Sequence, residues 1–166
     1  MYQNTTYRNE REHRKTLILD IGNAEGLTTT NHTFTSDLQD IFRIDEISEV
    51  YLDSFTTYGA LRNYNTSENI GFLLSIDEIN TPTNSNNNTS FQKIFIPNLD
   101  DSGGATSSVQ HKSKKMNYIG TINSCDISSI SGSFTLMDGT TAITDANSRF
   151  IAELVFVKQR YVDSYV

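Results

Sequence analysis

Apolar residues recur along the chain in short runs separated by polar segments rich in Asn, Gly, Asp and Ser, a spacing that predicts strands joined by turns. The run that organises the rest is Glu49-Val50-Tyr51-Leu52-Asp53-Ser54-Phe55-Thr56-Thr57-Tyr58. β-Branched and aromatic residues dominate it, and large side chains fall on both alternating sets, Val50/Leu52 and Tyr51/Phe55, which predicts an interior strand. Before it, Thr16 to Ile21 is a continuous apolar strand ended by Gly22-Asn23, and Leu27 to Thr35 alternates weakly as an edge strand or extended loop. Ser36-Asp37-Leu38-Gln39 has the form of a capping box, with Leu38, Ile41 and Phe42 at helical spacing, so a short helical turn is expected there.

After Gly59 and the polar segment Asn63 to Asn69, Ile70 to Ile79 reads as a strong strand and as the antiparallel neighbour of the central one. Thr81 to Ser90 is low in complexity and predicts an exposed, mobile loop. Phe91 to Ile96 is a strand halted by Pro97, and Asp100 to Ser107 is a Gly/Ser loop. Val109 to Lys115 is a basic cluster running into the strand Met116 to Ile122. Ile127 and Ile130, three apart, suggest a second helical turn capped by Asp126, and Ser133 to Met137 is a strand closed by the tight turn at Asp138-Gly139. Phe150 to Val157 is the last strand, mostly apolar and so interior.

About eight strands with only one or two short helical turns predict an all-β sandwich or barrel. A parallel sheet would need long crossover helices, and eight strands in two four-stranded sheets are expected to make an eight-stranded single jelly roll; an immunoglobulin-like sandwich stays open as the alternative, although neither its Cys pair nor its core Trp is present. Residues 16–162 form the domain, preceded by a flexible arm, 1–15, and followed by a tail, 163–166. At 166 residues the chain is large enough for one core without staples.

Charge narrows the partners. A net charge of −7 disfavours broad contact of the folded domain with a nucleic-acid backbone. The arm is the exception: Arg8, Arg11, Arg14 and Lys15 stand among Tyr2, Asn4 and Tyr7. It reads either as a solvated arm or as one that orders against a neighbouring subunit. Lys112, Lys114 and Lys115 read as a solvated rim or a contact for an acidic neighbour. With a single cysteine, Cys125, no intrachain disulfide forms. No signal peptide or membrane span is expected, folding is expected in a reducing compartment, and the sequons at Asn4, Asn31, Asn65, Asn87 and Asn88 read as by-products of composition. Cys125 itself is expected to be a small buried apolar residue.

No catalytic constellation emerges. His13, His32 and His111 lie far apart, in loops or the arm, and predict no metal site or cofactor. Asp45/Glu46/Glu49 and Asp77/Glu78 could be imagined as a glycosidase pair, but charges at strand edges ordinarily prevent edge pairing. Asp101-Ser102-Gly103 matches the aspartic-protease triplet but lacks the preceding apolar strand that would hold it.

The succession Glu49 to Phe55, Phe72-Leu73-Leu74-Ser75-Ile76-Asp77-Glu78, Ile94-Phe95-Ile96-Pro97-Asn98, Asn117 to Asn123 and Ile130-Ser131-Gly132-Ser133 resembles the single jelly-roll minor capsid proteins of large nucleocytoplasmic DNA viruses of algae and protists. The resemblance runs from about Leu17 to Tyr161 on short, mainly structural motifs. It implies a non-enzymatic giant-virus virion protein, made and assembled in the host cytoplasm. Two roles fit: a penton subunit at the five-fold vertices, or a minor capsid protein cementing the major capsid protein lattice from within. Implied partners are other capsid proteins, by self-association, including a pentamer, and by contact with the major capsid protein. No cofactor and no catalytic residue follow from it, and the short arm and lack of a large insertion leave both roles open. A different class, a lectin-like or receptor-binding sandwich on a virion fibre or spike, would use the loops Asn63 to Asn69 and Thr81 to Ser90, with Tyr58 or Tyr64 for sugar stacking.

Overall fold

A computed structural model describes residues 14–59, 71–97, 109–143 and 146–159, with 109–115 described as backbone only. Eight strands are found there: β1 (Arg14–Ile21), β2 (Thr33–Ile44), β3 (Ser48–Tyr58), β4 (Gly71–Ile76), β5 (Ile94–Pro97), β6 (Val109–Ile122), β7 (Cys125–Leu136) and β8 (Arg149–Lys158). They form two antiparallel four-stranded sheets, ordered β1-β8-β3-β6 and β2-β7-β4-β5. The chain passes repeatedly from one sheet to the other, so neighbours in a sheet are distant in sequence. This is the eight-stranded single jelly roll.

The central strand has partners on both sides, β8 and β6, as its composition requires. Its large residues are sorted by a bulge against β8: from Leu52 to Ser54 β3 advances two residues while β8, from Leu154 to Glu153, advances one. The extra residue, Asp53, reverses the alternation, so Phe55 joins Val50 and Leu52 in the core while Tyr51 faces outward. The inward residues of both sheets meet in an aromatic cluster. Phe134 of β7 lies 5.1 Å from Phe72, 5.1 Å from Phe150 and 5.7 Å from Phe55 between ring centroids. Phe150 stacks on Phe55 at 5.2 Å and meets Phe34 edge-on at 5.5 Å. These rings come from five strands in two sheets and are at most 3% exposed.

Both expected helical turns are strands. Between Asp37 and Phe42 β2 advances five residues while β7, from Ser129 to Ile127, advances two. This irregularity puts Leu38 and Phe42 against the core and leaves Ile41 exposed, a spacing that imitates a helix. It also lets Ile127 and Ile130, three apart, both point inward. Among the described residues the sole helical element is a 3-10 turn elsewhere, Asn23–Glu25.

Other expectations are corrected by the topology. β4 lies between β7 and β5, in the sheet facing the central strand, and is not its neighbour. Adjacency in sequence fails as a guide because a jelly roll sends consecutive strands to different sheets. β1 begins at Arg14, so Arg14 and Lys15 are strand residues. Phe91 to Lys93 belong to a turn, and β5 keeps Pro97, which an edge strand tolerates because it needs no donor on its open side. The Thr81–Ser90 segment is tied by its own polar groups: Ser85 and Ser90 hydroxyls lie 2.6 Å apart, and Gln92 N donates to Thr83 O at 3.0 Å. The turn at Asp138-Gly139 forms as expected, with Gly139 at φ +85°.

Close packing between strands is clearest at Gly132, where a Cβ would run into the Ser75 carbonyl oxygen and the Phe34 ring. Gly132→Ala therefore lowers the free energy of unfolding in urea by about 2 kcal/mol or more. Phe134→Ala costs about 3–5 kcal/mol, because a cavity opens among the rings. Thr57 is fully buried and its hydroxyl has no partner among the described residues. Thr57→Val raises the same measured stability by about 1 kcal/mol.

Candidate assembly surface

The basic residues singled out above sort onto the two edges of one sheet. Arg14 and Lys15 open β1, while Lys112 and its neighbours Lys114 and Lys115 lie along β6, at the opposite edge. The lysines thus belong to a strand and not to a loop rim. Lys112 is opposite Ser54 in the ladder, and His111, also expected in a loop, is opposite Phe55. Arg8, Arg11 and His13 lie outside the described residues, as do Asn63 to Asn69, Tyr64 and the Asp101-Ser102-Gly103 triplet.

At the β1 edge the cations have defined contacts. Lys15 Nζ donates to Asp45 Oδ2 at 2.8 Å and to the Arg43 carbonyl at 2.6 Å. Lys158 at the end of β8 pairs with Glu46, and Gln159 N donates to Ile47 O at 2.9 Å. Two lysines from adjacent strands thereby clamp the acidic turn between β2 and β3. Lys15 holds the Asp45 carboxyl below its usual range, first through the hydrogen bond and then through charge. Between the two pairs lies a cleft of about 210 Å3 with Ile44 and Phe156 on its wall. Arg14 sends Nη2 to the sulfur of Met116 at 3.1 Å, over the outward face of the sheet.

Two edges are blunted. Asn80 exchanges two backbone hydrogen bonds with Thr121 near the end of β6, and β5 is four residues long. Gly120 permits that approach: a Cβ there would meet the Asn80 carbonyl. Arg43 and Asp126 pair across β2 and β7 at 3.0 Å, both largely exposed.

The carboxylates that might have formed a hydrolytic pair have structural partners. Asp45 and Glu46 hold lysines, and Glu49 accepts the Tyr51 hydroxyl. Glu78 accepts the Ser131 amide at 3.0 Å and its hydroxyl at 3.0 Å, closing the β7 ladder where β4 ends; Asp77 takes the same hydroxyl at 3.2 Å. Among the described residues no cluster of three His, Cys, Asp or Glu could hold a metal ion, and no helix is long and apolar enough to cross a membrane. Cys125 is exposed, contrary to expectation, because it is the first residue of β7, at the rim beyond the packed core.

Apart from Tyr58, exposed apolar side chains are the feature least visible in the sequence. Ile18, Tyr58, Tyr118 and Ile151 are all between 38% and 64% exposed, and all stand on the sheet β1-β8-β3-β6. Alternation alone could have found Ile18 and Ile151, since each sits between inward residues. Tyr51 and Tyr118 pair edge-on at 5.8 Å across β3 and β6.

The Tyr51 phenol is pushed up to about 12, first by donating to Glu49 and then by partial burial. Its folded value stands above the usual value of about 10. The contribution to stability is therefore complete below about pH 10 and is lost as pH rises towards 12. In a spectrophotometric titration, Glu49→Gln returns one late-ionising tyrosine towards the ordinary range, and Tyr51→Phe removes it. Compared with known proteins, the chain matches no protein-family model and no curated relative.

Proposed function

We propose that this protein is a structural component of a viral capsid, either a penton subunit or a minor capsid protein that cements the lattice, acting through association and not through catalysis. The observation that carries the reading is the strand order β1-β8-β3-β6 over β2-β7-β4-β5. The single jelly roll is a recurrent capsid and lectin architecture, a rigid wedge with loops at both ends and free edges along its sides. The sequence resemblance noted above favours the capsid branch.

Charge distribution supports association. Seven of the 13 Lys and Arg residues fall in the arm and the two basic clusters; the remainder of the chain has six, against 18 of the 20 acidic residues, since Glu10 and Glu12 lie in the arm. Lys15 at the β1 edge is already paired with Asp45, so the β6 edge, with Lys112, Lys114 and Lys115, is the one suited to the acidic body of a neighbour. Such a contact is heterologous, the kind that closes into a ring when the rotation between copies fits.

The test is assembly. Native mass spectrometry and sedimentation velocity on the purified chain find a closed ring, a pentamer for a penton subunit; a cement protein instead co-sediments with the major capsid protein. Salt weakens either contact, because edge charges are screened within about 10 Å at 0.1 M ionic strength. The triple variant Lys112→Glu, Lys114→Glu and Lys115→Glu reduces association by roughly tenfold or more at low salt while leaving the thermal midpoint within a few degrees. A chain that stays monomeric at high concentration and has no place in any particle overturns the reading.

A further inference from the structure

We propose that an open groove at the end of the sandwich remote from the Lys15–Lys158 clamp is a binding site for a neutral saccharide. The proposal does not depend on the assembly reading. The groove lies where β1 and β3 end and β8 begins, and offers about 890 Å3 of open space, within the span of about 300–1,000 Å3 common to ligand clefts. Among the described residues its lining combines an aromatic ring, Tyr58, with an aliphatic neighbour, Ile151, and the polar side chains of Asp20, Asn23, Glu25 and Arg149.

These residue types match a pyranose. Tyr58 is 57% exposed and offers a ring face for the C–H face of a sugar, with a hydroxyl at its wet end. It stands opposite Arg149 in the ladder, and Ile151 stands opposite both Asp20 and Thr56, so ring, guanidinium, carboxylate and aliphatic group share one outward surface. Arg149 Nη1 lies 3.5 Å from Asp20 Oδ2, and both side chains are about half exposed. A planar donor and a planar acceptor side by side suit the vicinal hydroxyls of a sugar, which both donate and accept. Among the described residues, two carboxylates against one guanidinium make the lining net acidic, which favours a neutral sugar over an anionic one.

The walls are fixed before any ligand arrives. Ser148 Oγ donates to Gly59 O at 2.6 Å, and Gly59, at φ +65°, has no room for a Cβ against that hydroxyl. This lock sets the strand end that carries Tyr58. On the other side the 3-10 turn is held by Gly22 N donating to Glu25 Oε2 at 2.8 Å and by Gly26 in the left-handed conformation. A rigid groove loses little entropy on binding, which matters for a ligand that offers few apolar contacts.

Saturation-transfer difference NMR on the full chain tests this, with methyl β-D-glucopyranoside, methyl β-D-galactopyranoside and N-acetyl-D-glucosamine at about 10 mM, above a weak-ligand Kd of about 1 mM. N-acetylneuraminic acid is the anionic comparator. The expected result is saturation of at least one neutral probe, weakened roughly tenfold in Tyr58→Ala, retained in Tyr58→Phe, weakened in Asp20→Asn, and unchanged in Tyr118→Ala, whose ring lies on the same sheet outside the groove. Tyr58, Asp20 and Tyr118 are exposed, so their variants fold, as circular dichroism verifies. Absence of signal from every neutral probe, survival of the signal in Tyr58→Ala, or preference for the anionic probe each overturns the proposal.

Discussion

The contact on which the architecture rests is the meeting of Phe134, from one sheet, with Phe55 and Phe150, from the other. Each sheet has one apolar face, and neither is stable in water until that face is covered. The rings cover both at once, with Phe34 and Phe72 completing the cluster. Their position also governs the outside of the molecule. In a strand, every inward residue sets the direction of its neighbours. Anchoring Phe150 turns Arg149 and Ile151 outward, and anchoring Leu19 and Ile21 turns Asp20 outward. Tyr58 lies three residues beyond Phe55 on the same strand. The lining of the groove is thus a by-product of the aromatic core.

Strand content was readable because β-branched and aromatic runs between polar turns leave few alternatives. The interior position of Glu49 to Tyr58 followed from its bulk, and β8 from its near-continuous apolar character. What misled was odd spacing. Leu38, Ile41 and Phe42, and the pair Ile127 and Ile130, are separated by intervals that suit a helix, and a bulge yields the same intervals inside a strand. Strict alternation puts Phe55 on the wrong side for the same reason, because Asp53 is an extra residue on β3 relative to β8. Which strands would pair was not legible, since hydrogen-bond partners in a jelly roll are distant in sequence.

Charged positions were recognisable as groups but not as contacts. Nothing local in the sequence joins Lys15 to Asp45, Lys158 to Glu46 or Glu78 to Ser131, which are 30, 112 and 53 residues apart. Those pairings depend on strand order. They convert acidic turns, which otherwise resemble catalytic pairs, into clasps that hold the ends of strands. The same dependence explains why Tyr58 could be proposed as a sugar platform while its companions Asp20 and Arg149 could not.

Cys125 gives the molecule a practical property. It is the chain's single cysteine, and its thiol is exposed at the first residue of β7. Partial burial raises its pKa, with Asp126 and Glu78 adding to the effect, so the reactive thiolate is scarce at neutral pH. The thiol is therefore slow to oxidise into an accidental cross-link during handling, yet open to alkylation in mildly basic buffer. A fluorophore or spin label attached there needs no cysteine-free background, and it reports from the rim of the sheet β2-β7-β4-β5, opposite Ile44 and so close to the cleft that Lys15 and Lys158 line.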